Sequence, residues 1–232
     1  MRRFNYFTNK LCVVLIALVI ISVNTYAVNS PWNAIEITGP VGKNLNSSAL
    51  ATIATKNHVP TSSIYQWNNH LVVYGKLANV AGLQQKIKAG YPQCEIKIYQ
   101  KPFYDFDRKE RCGSKGLAKE WDNIILTANM VNDPKMQQEY LNYHATQFQK
   151  WPEVSNGFCN ADFQQLLVFK SGRQLLLIIS IPKGADLDKL NPLTTKNNPR
   201  VNDWNNIMKK YQEGIPGTKP GETWVFLKPV TK

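Results

Sequence analysis

The residues best equipped for chemistry lie between Asp133 and Glu153, in DPKMQQEYLNYHATQFQKWPE. Met136, Tyr140 and His144 fall at i, i+4 and i+8, so on a helix they stack along one face. A phenol beside an imidazole forms a small polar site, and a free imidazole titrates at about 6.5, where it can both give and take a proton. The same spacing also serves a core in which His144 is a satisfied histidine and Tyr140 only fills space. A helix is expected here. Asp133 is suited to the N-cap and Pro134 to the first turn, while Pro152 ends the run and pushes Trp151 toward an extended conformation.

The elements that would carry this helix recur in order. AIEITGP reads as a strand, and LNSSALATIATKNH has helical spacing in Leu45, Ala49 and Ile53. SIYQW and HLVVYGKL form a strand pair about Asn68-Asn69. VAGLQQKIKAG is a short helix closed by Gly90, and CEIKIYQK alternates as a strand with Ile96 and Ile98 on one face. Residues 101–121 break the periodicity, are dense in charge and turn formers, and read as a connection. The order then repeats. Asn123 to Val131 is a strand, 134–150 the helix above, and FQQLLVF and RQLLLIISI a hairpin about Lys170-Ser171-Gly172. NPRVNDWNNIMKKYQ is a helix with Val201, Trp204, Met208 and Tyr211 inward, and GETWVFLKP is a strand with Trp224 and Phe226 on one face.

Two successive βαββαβ runs predict an α+β protein of two tandem ferredoxin-like units, 28–100 and 122–232, joined by 101–121. Each unit leaves one sheet face without helices, and LLLIIS is apolar at nearly every position, as in a strand buried on both faces. The expected arrangement is an intramolecular pseudo-dimer in which each sheet covers the other. Such a chain would be a monomer or a homodimer.

Composition excludes some functions. With 43% hydrophobic and 19% charged residues the chain is an ordinary globular one. Its formal charge is +12, but the lysines are scattered, with no basic stripe interleaved with aromatics, so no nucleic-acid partner is indicated. Residues 1–27 read as a secretory signal: Arg2 and Arg3, the apolar run Leu11 to Ser22, then Thr25-Tyr26-Ala27. The run is shorter than the roughly 20 residues of a membrane span, so membrane contact would be transient and the mature protein exported, periplasmic or secreted. In an oxidising compartment Cys94, Cys112 and Cys159 remain. Cys94–Cys112 is the favoured pair because both flank the central junction, with Cys159 as a buried thiol. No histidines stand near the cysteines at ligand spacing and no glycine-rich phosphate loop is present, so neither metal nor cofactor is expected.

From about Asn123 to Val230 the chain resembles the L-rhamnose mutarotase family. The resemblance rests on Glu139-Tyr140, His144, Trp151-Pro152-Glu153, the Gln165 to Leu177 hairpin, the NPRV/W/M helix and the terminal GETWVFL strand. It implies a dimeric α/β-barrel fold and interconversion of hexose anomers. It also implies roles: His144 as proton donor, Tyr140 as a sugar contact, and Trp204 as a wall of the sugar pocket. Gln165 (or Gln164, if the register slips) stands where the family carries a second sugar-contacting tyrosine, and Asn205 where it carries a second tryptophan. Three extra residues separate His144 from Trp151.

Mutarotation needs a proton delivered to the ring oxygen and one taken from the anomeric hydroxyl, which suits a site with few ionisable groups. His144 would supply the first, Tyr140 a hydrogen bond or relay, and Trp204 a flat face for the sugar's C–H surface. Gln165 can donate and accept in the tyrosine's place. The altered aromatics keep open a sugar-binding module without catalysis, and the fold class also admits another cofactor-free enzyme.

Overall fold

The computed structural model describes residues 31–231. The expected secretory signal, with Cys12, lies outside the described residues. The N-terminal half runs β1 (Asn33–Thr38), α1 (Ser47–Thr55), β2 (Ile64–Trp67), β3 (His70–Gly75), α2 (Val80–Gly90) and β4 (Glu95–Tyr99). The C-terminal half begins with β5 (Tyr104–Asp107), α3 (Arg108–Cys112), β6 (Trp121–Met130) and α4 (Pro134–Ala145). It continues with α5 (Gln147–Lys150), α6 (Pro152–Asn160), β7 (Gln165–Ser171), β8 (Gln174–Pro182) and α7 (Leu187–Leu190). Last come α8 (Pro199–Met208), β9 (Gln212–Glu213) and β10 (Val225–Pro229).

The strands form one antiparallel sheet in the order β4-β1-β3-β2-β10-β6-β8-β7-β5, with β9 added to β6. The quartet β4-β1-β3-β2 has the order of a split βαβ unit, and β10-β6-β8-β7 repeats it. The halves join where β2 meets β10, with Gln66 opposite Lys228 and Tyr65 opposite Pro229.

Strand alternation divides the apolar side chains between the two faces of this sheet. One set packs under α1 and α2 and includes Ile35, Ile37, Leu71 and Val73. A second packs under the C-terminal helices and includes Leu126, Leu166, Val168 and Ile179. The opposite face curls on itself, and Tyr74 and Tyr99 of the N-terminal half share a core with Phe169, Leu176 and Ile178. Tyr99 and Phe169 meet edge to face at 6.2 Å. This is why LLLIIS is apolar throughout: its residues alternate between two cores rather than between core and water.

The stretch 101–121 is more than a connection. Tyr104 and Phe106 of β5 are buried and β5 pairs with β7, which extends the C-terminal sheet by one strand. Asp107 caps α3 by accepting from the Glu110 amide at 3.2 Å. The guanidinium of Arg108, which is buried, donates to the carbonyls of Lys115 and Cys159 and to Asp162, each at 3.0 Å. Charge density hid the two-residue alternation of a very short strand. The same packing corrects the cysteine pairing. The disulfide joins Cys112 to Cys159, because α3 lies against α6, whereas Cys94 is a free thiol in the core beneath α1 and α2.

Candidate active site

Helix α4 begins as its sequence dictates. Asp133 accepts from the amides of Lys135 and Met136 at 2.8 and 3.0 Å, with Pro134 in the first turn. Its inner face buries Tyr140 and His144. The helix ends at Ala145 and a further turn, α5, takes up residues between His144 and Trp151. Pro152, expected only to stop the helix, occupies the first turn of α6. Helix α6 crosses the 3-10 turn at Asn191–Thr194 so closely that a Cβ on Gly157 would lie 2.5 Å from the Thr194 carbonyl oxygen.

Between these helices, α8 and the sheet lies a cavity of about 600 Å³ lined by Tyr104, Tyr140, His144, Trp204 and Trp224 among others. His144 is enclosed by aromatic rings. Centroid distances are 4.3 Å to Tyr140, 5.3 Å to Tyr104 and Trp204, and 5.4 Å to Phe103. Its Nδ1 lies 2.9 Å from the Tyr140 carbonyl oxygen, which can only accept, so Nδ1 carries the proton and Nε2 presents a lone pair. Burial pushes its pKa down to about 4, against a smaller upward pull from that carbonyl. At neutral pH His144 is therefore a neutral base, not the half-protonated acid that free imidazole would be.

Tyr140 has the opposite character. Burial raises its pKa, so it keeps its proton. Its hydroxyl oxygen accepts from Gln212 Nε2 at 3.1 Å, and Gln212 Oε1 accepts in turn from Trp224 Nε1 at 3.1 Å. That chain leaves the Tyr140 O–H free to donate into the cavity. Trp224 thus lines the cavity and orients that hydroxyl through Gln212. Tyr104 donates to Gln147 Oε1 at 2.7 Å, and Gln147 Nε2 donates to the Trp151 carbonyl at 2.5 Å, so β5 and α5 brace one side of the cavity together. Neither Tyr104 nor Gln212 carried a signal in sequence. One lies in the supposed connection, and the other follows a helix by one turn.

The expected site residues divide. His144, Tyr140 and Trp204 converge, and Asn205 lies exposed at the rim. Gln165 does not join them. Leu166 and Val168 take the cavity side of β7, which sends Gln165 to the opposite face with Leu167 and Phe169. Gln164 is spent on structure, accepting from the Ala118 amide at 2.9 Å and donating to the Gly116 and Asp162 carbonyls at 3.0 and 2.8 Å. Among the described residues no group of three or more His, Cys, Asp or Glu is placed to hold a metal ion. No helix among them is long and apolar enough to cross a membrane.

Residues 124–231 match the family model of L-rhamnose mutarotase. The C-terminal half is similar to the L-rhamnose mutarotase family. An L-fucose mutarotase of Xanthomonas campestris pv. campestris is 29% identical over 102 residues, 44% of this chain and 79% of that protein. A UPF0734 protein of Dictyostelium discoideum is 29% identical over 123 residues, 50% of this chain and 86% of that protein. Among solved structures, a heme-degrading enzyme from Listeria monocytogenes aligns with 84% of this chain and 98% of its own at a TM-score of 0.42 and 12% identity. The mutarotase-like half is the one that contains Tyr140, His144, Trp204, Gln212 and Trp224.

Proposed function

We propose that this chain is an exported sugar mutarotase that interconverts the α and β anomers of a hexose or deoxyhexose such as L-rhamnose. We also propose that its two halves, the first ending with β4 and the second beginning with β5, stand to each other as the two subunits of a dimeric α/β barrel. The observation that carries the activity is the pairing of a lone-pair base, His144 Nε2, with a proton-keeping phenol, Tyr140, in one aromatic-walled cavity.

The reaction follows from those states. His144 Nε2 takes the proton of the anomeric hydroxyl, whose oxygen forms the C1 carbonyl as the C1–ring-oxygen bond breaks. The ring oxygen takes the Tyr140 proton, so the opened sugar is the neutral aldehyde. After rotation about C1–C2 the ring hydroxyl attacks the other carbonyl face. It returns its proton to Tyr140, and the new anomeric oxygen takes the proton held by His144. Each group ends as it began, with no metal or nucleotide. Trp204 supplies a face for the sugar's C–H surface.

NMR exchange spectroscopy on equilibrated L-rhamnose, L-fucose and common aldoses tests this. Faster α/β exchange for one sugar is expected, reduced about 10²–10⁴-fold in His144→Ala with its circular dichroism unchanged. Binding without acceleration would make the pocket a sugar-binding site only.

A further inference from the structure

The face of the sheet turned away from this cavity carries a second polar centre. Glu36 lies at the middle of β1, wholly buried. Its carboxylate accepts from His70 Nδ1 at 2.7 Å, from the Tyr99 hydroxyl at 2.7 Å and from Gln174 Nε2 at 2.8 and 3.0 Å. Burial alone would raise its pKa, but His70, Tyr99 and nearby Lys97 outweigh it and hold the group below the usual carboxylate range. An ionised carboxylate can only accept, so His70 Nδ1 must donate, which leaves Nε2 as the ring nitrogen available to another partner. That nitrogen has no hydrogen-bond partner among the described residues, although His70 is only 3% exposed.

His70 lines a separate cavity of about 370 Å³ at one end of the space enclosed by the curled sheet. The N-terminal half contributes Thr38, His70 and Lys97 to its wall, and the C-terminal half contributes Asn129, Ser171 and Arg173. The charges in that wall are spent on each other or on nearby groups. Lys97 pairs with Glu95 at 3.1 Å and donates to Gln174 at 2.5 Å, and Arg173 pairs with Glu213. What remains free is neutral. The side chains of Asn129 and Ser171 make no hydrogen bond among the described residues, and both residues line the cavity with His70. A buried carboxylate held by a polar network contributes little that well-packed apolar residues would not, so stability alone does not account for Glu36 and its partners.

We infer that this cavity is a second ligand site, for a small neutral polyhydroxylated molecule, in which His70 Nε2 hydrogen-bonds a ligand hydroxyl and Asn129 and Ser171 bind its neighbours. Because its wall comes from both halves, the site exists only in the joined chain. It does not depend on the activity proposed for the His144 cavity.

The test is long-range ¹H–¹⁵N correlation of the histidine rings in the ¹⁵N-labelled full chain, titrated with D-glucose, myo-inositol and glycerol, with sodium acetate as the charged comparison. The expected result is a saturable shift of His70 Nε2 with at least one polyol. The shift should persist in His144→Ala and weaken about tenfold in the double variant Asn129→Ala/Ser171→Ala. No response of His70 to any of the three polyols would overturn the inference. An equal response to acetate would do the same, as would a polyol response undiminished in a folded double variant. If the double variant does not fold, the wild-type titration decides.

Discussion

In the free pocket His144 is uncharged at neutral pH, with Nε2 unprotonated, because burial holds its pKa at about 4 and its Nδ1–H is committed to the Tyr140 carbonyl. Its protonation then has two separable readouts. For the proposed reaction kcat/KM should be level from pH 8 down to about 5, with its acid limb near pH 4 rather than near 6.5. Stability should respond over a neighbouring window. The unfolded chain binds the His144 proton from about pH 6.5 downward and the folded protein only from about 4, so stability is full above 6.5 and is lost progressively between them. A shift of that size corresponds to roughly 3 kcal/mol. Urea unfolding of wild type and His144→Gln at pH 7.5 and pH 4.5 measures it, and the pH-dependent loss should be much smaller in the variant. A neighbouring residue makes a different prediction. Gln212→Leu removes the hydrogen bond to the Tyr140 hydroxyl and leaves Trp224 Nε1 without its acceptor, while the base is untouched. Turnover in the exchange assay should fall by the equivalent of about 1 kcal/mol, with the acid limb unmoved.

At the scale of elements, the cavity depends on how closely α6 can lie against its neighbours. Gly157→Ala would place a methyl group against the backbone carbonyl of Thr194, which cannot swing aside as a side chain would. The variant should be destabilised by about 1–3 kcal/mol in thermal unfolding, with sugar binding weakened because α6 carries Val154 and Phe158 in the cavity wall. On its other side, α6 is fastened to α3 by the Cys112–Cys159 bond. Replacing both cysteines by serine should lower stability by about 2–4 kcal/mol. The same protein with Cys94→Ser should retain its disulfide on peptide mapping, since that thiol lies in another core.

For the whole molecule, the decisive surface is the sheet face shared by the two halves. In a fragment of residues 101–232 the side chains of Leu167, Phe169, Leu176 and Ile178 would face water, a contiguous apolar patch of the kind that associates. That fragment should self-associate in size-exclusion chromatography with light scattering, whereas the joined chain covers the same face internally. A fragment that stayed monomeric and folded would show that the N-terminal half is not needed to cover that face.

Local features were legible in the sequence because their causes are local. Asp133-Pro134 starts α4, Asn68-Asn69 turns the β2–β3 hairpin, and spacing alone puts Tyr140 beside His144 on one face. The apolar LLLIIS run already implied two covered faces. Tertiary structure decided what depends on distance between elements. It drew Tyr104, Gln212 and Trp224 into the cavity from three separate strands or loops, and it turned Gln165 to the far face, since one step along a strand reverses a side chain. It paired Cys112 with Cys159 across 47 residues. It also made His144 a base. An imidazole's proton affinity is set by the water it loses and the carbonyl it meets, and those belong to the packed chain rather than to the order of its residues.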